Sequence, residues 1–208
     1  MSEAQTTVFI VDDDEAVRDS LKMLMESVDL HAEVFASAHE FLQLFDDDRS
    51  GCLVLDIRMP GMSGLELQAV LNERRSMLPV IFITGHGDVP MAVQAIRGGA
   101  QDFIQKPFRE QELLDRVQQV LAEDSRNRDV LHQKRDILER LSTLTPRERE
   151  VLGLVVAGNA NKVIAIDLGL SQRTVEIHRA HVMDKMQTKS LAHLVRMMIS
   201  VEDEEEAS

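Results

Sequence analysis

The sequence of 208 residues predicts a doubly wound α/β domain followed by a small all-α domain. Short apolar runs and amphipathic helical segments alternate five times within about 120 residues, which is typical of a parallel sheet covered by helices on both faces. Beyond that point only the helical spacing of apolar residues recurs. Charge divides the chain at the same place, because residues 1–124 carry 23 acidic and 10 basic side chains, while residues 125–201 carry 8 acidic and 13 basic ones. An acidic half and a basic half suggest two domains with different partners.

Five strands are predicted from short apolar runs that are bounded by turn or polar residues. In chain order they are Val8–Val11, Ala32–Phe35, Cys52–Asp56, Pro79–Ile83 and Asp102–Gln105. The intervening helices are indicated by apolar side chains three and four positions apart, as at Val17, Leu21 and Leu24. The Gly98-Gly99 pair predicts the end of the fourth helix, and the fifth helix begins near Arg109.

Polar side chains follow four of these five strands. They are Asp12-Asp13, Asp56, Thr84 and Lys106. Taken alone, Asp56 could equally begin a turn or cap the next helix. Because the carboxyl ends of parallel strands meet at one edge of the sheet, where open α/β folds bind their ligands, we expect these side chains to converge on a functional site.

The residue types at this edge predict a metal-assisted chemistry. Three neighbouring carboxylates raise one another's pKa values unless a cation lies between them, and hard oxygen ligands favour Mg²⁺. We expect Asp13 and Asp56 to be direct ligands, Asp12 to act through water, and the backbone carbonyl of Arg58 to be a further ligand. A metal held in this way, with open positions, can bind an incoming phosphoryl group.

Asp56 is then the predicted nucleophile, which forms an acyl phosphate. Lys106 would place its cation on the phosphoryl oxygens, and the hydroxyl of Thr84 would donate a hydrogen bond to one of them. The simpler alternatives are an ordinary ion pair for Lys106 and a structural strand-end hydroxyl for Thr84.

Three longer strings carry a family resemblance: VFIVDDDEAVRDSL, LDIRMPGMSGLEL and FITGHGDVPMAVQAIRGGAQDFIQKPF. They resemble the receiver domain of two-component response regulators, in particular the FixJ branch of the NarL/FixJ family. The resemblance covers residues 1–123. It implies a flavodoxin-like five-stranded sheet, Mg²⁺ as cofactor, and transfer of a phosphoryl group to Asp56 from a phosphohistidine of a sensor histidine kinase.

The same resemblance implies how the receiver changes state. Thr84 and Phe103 would move together when Asp56 is phosphorylated, and the Lys106–Pro107 peptide bond would be cis. Receivers of this family pair through the face that here spans Val89–Gly99 and Asp102–Gln105. Arg58 and His86 occupy the two positions that flank the phosphoryl group and influence its lifetime.

Residues 124–141 are predicted to be a helical linker, because this stretch lacks Pro and Gly and keeps a sparse apolar spacing. It is either a solvated spacer or a helix that carries a dimer or interdomain contact.

The second domain, residues 142–201, is predicted to contain four helices. Thr145, Pro146 and Glu148 form the N-cap, first-turn proline and capping box of the first one. A short helix follows over Asn161–Leu168, in which Val163, Ile164, Ala165 and Leu168 point inward. Ser171 caps a longer helix that reaches Met186, and Ser190 starts the last one. Two short helices across a Gly-containing turn in a basic domain favour helix-turn-helix DNA recognition, although a small structural bundle would show the same pattern.

The string LTPREREVLGLVVAGNANKVIAIDLGLSQRTVEIHRAHVMDKM resembles the LuxR-type DNA-binding domain of the NarL/FixJ family. The resemblance places the helix from Ser171 to Met186 in the major groove of double-stranded DNA. The expected DNA contacts are Lys162, Arg173, Thr174, His178, Arg179 and Lys185. Glu176 departs from the family pattern, because many relatives carry a basic residue there, and this leaves the target sequence open.

Together these features predict a transcriptional regulator, acting as an activator, of a two-component system. Phosphorylation of Asp56 would promote homodimer formation and promoter binding, and the chain would catalyse only its own phosphotransfer and dephosphorylation. The alternatives are an Mg²⁺-dependent phosphatase that forms an aspartyl phosphate, and a phosphate-sink receiver with a helical domain that does not bind DNA. A phosphatase commonly carries a second Asp where this chain has Arg58.

Cytoplasmic localisation without a membrane partner is expected. The sequence lacks the run of about 18 apolar residues that spans a membrane, and its amino terminus lacks the features of a secretory signal. The single cysteine, Cys52, suits a reducing compartment. The acidic stretch 202–208 is predicted to be a disordered tail.

Overall fold

The computed structural model describes residues 6–46, 49–85 and 89–202. The chain forms two compact units, Met1–Asn127 and Arg128–Ser208. Two sequence predictions, those for His86 and for the acidic tail beyond residue 202, lie outside the described residues. No helix in the described part of the chain is long and apolar enough to cross a membrane.

The first unit is a five-stranded parallel sheet with helices between its strands. Its elements are β1 (Thr7–Val11), α1 (Glu15–Glu26), β2 (His31–Phe35), α2 (Ala38–Leu44), β3 (Gly51–Asp56), α3 (Gly64–Glu73), β4 (Val80–Thr84), α4 (Val89–Arg97), β5 (Asp102–Gln105) and the start of α5 (Glu110–Ser142). The strand order is β2-β1-β3-β4-β5, which is the flavodoxin-like order. The predicted fold class is therefore confirmed.

The sheet separates two apolar cores because successive side chains of a strand point to opposite faces. Phe9 of β1 packs with Phe41 and Phe82 on one face. Val8 and Ile10 of the same strand pack on the other face, in the core that also contains Leu113 and Val117 of α5. Cys52 of β3 is fully buried in this second core.

The second unit is all helical. It contains the end of α5, then α6 (Pro146–Val156), α7 (Asn161–Asp167), α8 (Gln172–Lys185) and α9 (Leu191–Glu202). Its core is built from apolar side chains of these helices, including Val151, Leu152, Ile164, Val175, Val182, Met186 and Leu194. The predicted linker range 124–141 lies inside the 33-residue helix α5.

One predicted core position is wrong. Val163 was expected to point inward, but 42% of its surface is exposed, whereas Ile164 and Ala165 are buried. Helix α7 has only seven residues, so a single narrow face can be buried against its neighbours. Val163 lies about 100° around the helix from Ile164, and this places it on the solvent side.

Candidate functional site

Two buried carboxylates and one lysine meet at the carboxyl edge of the sheet, and a third carboxylate, that of Asp13, is exposed beside them. We call Asp12, Asp13, Asp56 and Lys106 the acidic pocket. The Nζ of Lys106 donates to Oδ2 of Asp12 at 2.7 Å and to Oδ1 of Asp56 at 3.1 Å. The expected convergence of the ends of β1, β3 and β5 is therefore present in the fold. The convergence depends on the parallel arrangement of the strands. It brings Asp12 and Asp56, which precede Lys106 by 94 and 50 positions in the sequence, into hydrogen-bond contact with this lysine.

Asp56 occupies the last position of β3 and is only 6% exposed. Its second carboxylate oxygen accepts a hydrogen bond of 2.7 Å from the backbone N–H of Arg58. Burial raises the pKa of Asp56, and the neighbouring charge of Asp12 acts in the same direction. Lys106 and the Arg58 N–H lower that pKa but do not fully compensate. The ionised carboxylate of Asp56 is thus less well stabilised than an ordinary aspartate in water.

Asp12 is buried, and Asp13 is exposed at the rim of the pocket. One carboxylate oxygen of Asp12 accepts from the backbone N–H of Asp14 at 2.9 Å, while the other binds Lys106. The side chain of Asp14 in turn caps the first turn of α1. The guanidinium of Arg18 donates to the backbone carbonyl of Asp12 at 2.7 Å and fixes the end of β1 from the side of α1.

Lys106 follows β5 and is joined to Pro107 by a cis peptide bond, as the resemblance implied. Its backbone N–H donates to the carbonyl of Thr84 at 2.7 Å, which joins the ends of β4 and β5. Desolvation lowers the pKa of Lys106, but hydrogen bonds and ion pairs with Asp12 and Asp56 outweigh it and raise that pKa overall. The ammonium group therefore stays charged in the pocket.

The two expected switch residues lie on the neighbouring strands β4 and β5. Thr84 ends β4 and is 1% exposed. Phe103 of β5 pairs in register with Phe82 of β4, and its ring is partly buried against the apolar core.

The loop between β3 and α3 packs tightly against the phosphoacceptor candidate. The N–H of Gly64 donates to the carbonyl of Ile57 at 2.9 Å. A Cβ atom at Gly64 would lie 2.3 Å from the backbone carbonyl oxygen of Asp56, so only glycine fits there. The side chain of Arg58 is exposed, and its Nη2 lies 3.8 Å from the sulfur of Met91 in α4.

The pocket has the chemistry of a magnesium site. Its donors are hard carboxylate oxygens, and one ammonium group is shared by the carboxylates of Asp12 and Asp56 with that of Asp13 exposed beside them, so the local charge favours a divalent cation. Within residues 6–46, 49–85 and 89–202, no three His, Cys, Asp or Glu side chains are arranged as a ready metal site. Asp12 and Asp56 are instead bound to Lys106, and the Asp13 side chain points to solvent. The donor types fit Mg²⁺, and the Asp13 carboxylate would have to turn inward to bind it.

Helix α8 carries the expected DNA contacts in the second unit. Ser171 caps the helix by accepting from the N–H of Thr174 at 3.0 Å, and the two hydroxyl groups are 2.8 Å apart. The exposed positions on α8 are Gln172, Arg173, Glu176, Ile177, Ala180, His181 and Asp184. Among the expected contacts, Arg173 and Lys162 have exposed side chains.

Other expected DNA contacts are partly buried, and two of them bind side chains of the helical unit. Arg179 donates to the side-chain oxygen of Asn161 at 2.6 Å. Lys185 binds Glu148 at 2.6 Å. His178 is partly buried, and its Nδ1 is enclosed with no hydrogen-bond partner among the described residues. The sequence alone did not indicate these partners because they lie 18 and 37 positions away.

Sequence reasoning also missed a group of arginines that donate to carbonyl groups at helix ends. Arg149 donates to Leu141 at 3.0 Å, Arg140 to Met186 at 3.5 Å, and Arg147 to Leu168. A cation at the carboxyl end of a helix stabilises its unpaired carbonyls. Part of the basic excess of this unit thus serves its own fold, and counting charges overestimates the number available for DNA.

Two family comparisons divide the chain in the same way as the fold. Residues 8–118 match the family described as "Response regulator receiver domain", and residues 142–198 match "Bacterial regulatory proteins, luxR family".

Relatives align over nearly the whole chain. The transcriptional regulatory protein FixJ of Rhizobium meliloti is 48% identical over 93% of this chain and 95% of its own length. Nodulation protein W of Bradyrhizobium diazoefficiens is 48% identical, over 91% of this chain and 84% of its own. The response regulator protein TodT of Pseudomonas putida is 42% identical, over 98% and 89%.

Solved structures give the same result. The response regulator StyR matches with a TM-score of 0.88 and 44% identity, over 94% of this chain and 98% of that one. Full-length FixJ from B. japonicum matches with a TM-score of 0.60 and 38% identity, over 96% and 98%. Each of these similarities spans both the sheet unit and the helical unit.

Proposed function

The chain belongs to the NarL/FixJ family of two-component response regulators, which join a receiver domain to a LuxR-type DNA-binding domain. From this premise we propose that phosphorylation of Asp56 controls the binding of the protein to promoter DNA. The observation that carries the proposal is the position of Asp56. It ends a buried central strand, has a raised pKa, and shares the cation of Lys106 with Asp12.

The geometry supports phosphoryl transfer to an oxygen of Asp56. In the proposed step this oxygen attacks the phosphorus of a phosphohistidine on a sensor histidine kinase, a P–O bond forms, and the P–N bond to the imidazole breaks. Lys106 already lies 3.1 Å from Asp56 and can follow the new phosphoryl oxygens, while Thr84 supplies a hydroxyl donor at the neighbouring strand end. Mg²⁺ bound by Asp13, Asp56, the Arg58 carbonyl and, through water, Asp12 would shield the phosphoryl charge.

The response to phosphorylation is proposed to run through Thr84, Phe103 and the face formed by α4 and β5. Helix α4 exposes Val89, Val93 and Ile96, which are 74%, 44% and 49% exposed. Apolar side chains in such a row are typical of a surface that a partner covers. Covering them with a second phosphorylated copy would give the homodimer that can engage two half-sites on DNA.

DNA binding is proposed to use the exposed side of α8 in the major groove. Arg173 lies in its first turn, and the exposed Lys162 of α7 would neutralise a phosphate. Glu176 and Ile177 are exposed beside Arg173 and would meet base edges. A regulator that acts on chromosomal DNA works in the cytoplasm, and its only chemistry would be its own phosphorylation and dephosphorylation.

Phosphoryl acceptance is tested by incubating the protein with acetyl phosphate and Mg²⁺ and measuring covalent phosphate by mass spectrometry. We expect one phosphoryl group on the wild type and none on Asp56→Asn. Asp14→Asn is a matched control, because asparagine caps a helix as well as aspartate does. Absence of phosphorylation in the wild type, or equal phosphorylation of Asp56→Asn, would contradict the proposal.

DNA binding is tested by fluorescence anisotropy with a labelled duplex over a range of salt concentrations. We expect the logarithm of the binding constant to fall linearly with the logarithm of salt, by about 0.9 for each neutralised phosphate. Arg173→Gln and Lys162→Gln should each reduce the slope, since each removes one phosphate contact. A wild-type protein that shows no salt-dependent binding in either phosphorylation state would leave the helical unit without this role.

A further inference from the structure

A buried ion pair lies at the carboxyl end of the proposed recognition helix. The Nζ of Lys185, the last residue of α8, is 2.6 Å from Oε2 of Glu148 in the first turn of α6. The same ammonium group donates to the backbone carbonyl of Thr143 at 3.1 Å. The side chain of Glu148 is only 5% exposed, and that of Lys185 is 33% exposed. Lys185 therefore joins α8 to two other segments of the unit.

Both carboxylate oxygens of Glu148 have partners within the helical unit. Its Oε2 also accepts from the N–H of Thr145 at 2.9 Å, as part of the capping box of α6, and its Oε1 lies 3.5 Å from Nδ1 of His181. The hydrogen bond from Lys185, followed by that from Thr145, lowers the pKa of Glu148 to about 2. The carboxylate is thus ionised under all ordinary conditions and is a permanent anchor for Lys185.

Further contacts attach α8 to the rest of the unit. The guanidinium of Arg140, near the end of α5, donates to the carbonyl of Met186 at 3.5 Å. Arg179, in the middle of α8, donates to Asn161 at the start of α7 at 2.6 Å. Cations six positions apart along α8 lie about 120° apart around its axis. Arg173 is consequently on a different side from Arg179 and Lys185, and it is the cation of α8 that is exposed.

We propose that Lys185 is a positioning residue rather than a DNA contact, and that its pair with Glu148 fixes how far and at what angle α8 projects toward the major groove. This inference rests on the proposed DNA-binding function and deepens it. Lys185 was one of the expected DNA contacts, so the proposal reassigns it. It also gives the buried carboxylate of Glu148 a function in DNA binding, although Glu148 itself touches no DNA.

The two roles of Lys185 predict opposite effects of Glu148→Gln, measured in the full-length protein. If Lys185 binds phosphate, then removing its carboxylate partner frees the cation, and DNA affinity rises. If the pair positions α8, then glutamine loosens that helix, and affinity falls by about threefold to tenfold with no change in the salt slope. Glutamine can still accept from the N–H of Thr145, so the capping box is retained.

Lys185→Met provides the second measurement. Positioning predicts weaker binding at every salt concentration with the wild-type slope, whereas a phosphate contact predicts a slope smaller by about 0.9 for each subunit bound. Lys185→Arg, which keeps the charge and can reach Glu148, should restore most of the affinity. The double variant Glu148→Gln/Lys185→Met should bind DNA no more weakly than the weaker of the two single variants. Either single substitution already removes the Glu148–Lys185 ion pair, so the second one removes nothing further.

Arg173→Gln is the matched control, because it should lower the slope while leaving the Glu148–Lys185 pair intact. Far-UV circular dichroism checks that each variant is folded. If Lys185→Met does not fold, the direction in which Glu148→Gln changes the DNA affinity decides between the two roles of Lys185. Stronger binding by Glu148→Gln, or a reduced slope for folded Lys185→Met, would overturn this inference. Failure of the proposed function is distinguishable from both, since the wild-type protein would then show no salt-dependent binding.

Discussion

Lys106 in the acidic pocket and Lys185 at the end of α8 each bind a buried carboxylate, yet the pKa of the carboxylate moves in opposite directions. The pKa of Asp56 is raised, mainly by burial, and that of Glu148 is lowered to about 2, mainly by the hydrogen bond from Lys185. For Asp56 the cost of desolvation exceeds the stabilisation by Lys106 and the Arg58 N–H, whereas for Glu148 the hydrogen bonds exceed the cost of desolvation. The sharing of the lysines acts in the same direction, because Lys106 pairs with both Asp12 and Asp56, while among the described residues Lys185 pairs with one carboxylate, that of Glu148.

This comparison separates a reactive group from a structural one. Asp56 retains an excess of negative charge that an incoming cation or phosphoryl-metal complex can relieve, which is a property expected of an input site. Glu148 is already satisfied by a lysine and a backbone N–H, so it has little to gain from a ligand. The four predictions that follow test this contrast, from the largest expected effect to the smallest.

Glu148→Gln should lower the free energy of unfolding of the helical unit by about 2 kcal/mol at neutral pH, because it removes a charge-assisted hydrogen bond to a buried group. The pKa of Glu148 in the folded state lies below its ordinary value of 4.5. The stabilisation is therefore complete above about pH 5 and is lost as the pH falls toward 2. The measurement is the free energy of unfolding in urea at several pH values, monitored by far-UV circular dichroism.

Near-UV dichroism can distinguish unfolding of the receiver unit from unfolding of the helical unit. All seven phenylalanines precede residue 109, and the chain has no Trp or Tyr, so near-UV dichroism reports on the receiver unit alone. Glu150→Gln is a matched control, since Glu150 pairs with Arg147 at the surface and should contribute less than about 0.5 kcal/mol. An unchanged stability of Glu148→Gln across this pH range would remove the contrast with Asp56.

Gly64→Ala should destabilise the receiver by about 1.5 kcal/mol, because overpacking a tight contact forces the backbone to shift. The new methyl group would meet the Asp56 carbonyl oxygen at 2.3 Å and a ring carbon of Phe82 at 3.0 Å. Phosphorylation by acetyl phosphate should slow at the same time, since the shift displaces Asp56. Gly85→Ala serves as control, because no atom of the described residues lies within 4 Å of a Cβ at Gly85. A fully stable Gly64→Ala with normal phosphorylation would show that this loop does not position Asp56.

Asp56→Asn should stabilise the receiver by about 1 kcal/mol at neutral pH in the absence of divalent cations, because it removes a poorly compensated buried charge. The raised pKa means that the folded state holds its proton more tightly than the unfolded state. The advantage of the variant should therefore be present at neutral pH and disappear as the pH falls to the ordinary range of aspartate. Near-UV dichroism during urea unfolding measures the difference in the free energy of unfolding between Asp56→Asn and the wild type. Asp19→Asn, on the exposed side of α1, is the control. A destabilised Asp56→Asn would mean that Lys106 fully compensates Asp56.

Gly153→Ala should stabilise the helical unit by about 0.7 kcal/mol, since alanine is the better helix former. Gly153 lies inside α6, and a Cβ there meets no atom of the described part of the chain within 4 Å. Gly158→Ala is the contrasting variant, because its φ of +84° penalises any side chain. Stabilisation by Gly153→Ala beside destabilisation by Gly64→Ala would assign the sensitivity of Gly64 to crowding by Asp56 and Phe82. Destabilisation by Gly153→Ala would indicate contacts on α6 that the structure does not contain.

Local patterns predicted most of the fold and part of the site. Strand runs, helical spacing and the Thr145–Glu148 capping box depend on residues a few positions apart, and the structure contains them. The gathering of Asp12, Asp56 and Lys106 was also predictable, because parallel strands place their carboxyl ends on one edge. The partners of Arg179 and Lys185 were not, since their pairing depends on how helices pack across 18 and 37 positions. Periodicity shows which side of a helix is apolar, but it does not show which polar side chain from another helix will lie against it.

The burial of Cys52 has a practical consequence for labelling. Its side chain is fully enclosed in β3, and burial raises the pKa of its thiol, so the reactive thiolate does not form at working pH. A cysteine introduced at an exposed position would therefore be the only thiol that reacts with a maleimide or a nitroxide reagent. Spin or fluorescence labels can accordingly be attached to either unit of the otherwise unaltered chain, and distances can be followed before and after phosphorylation.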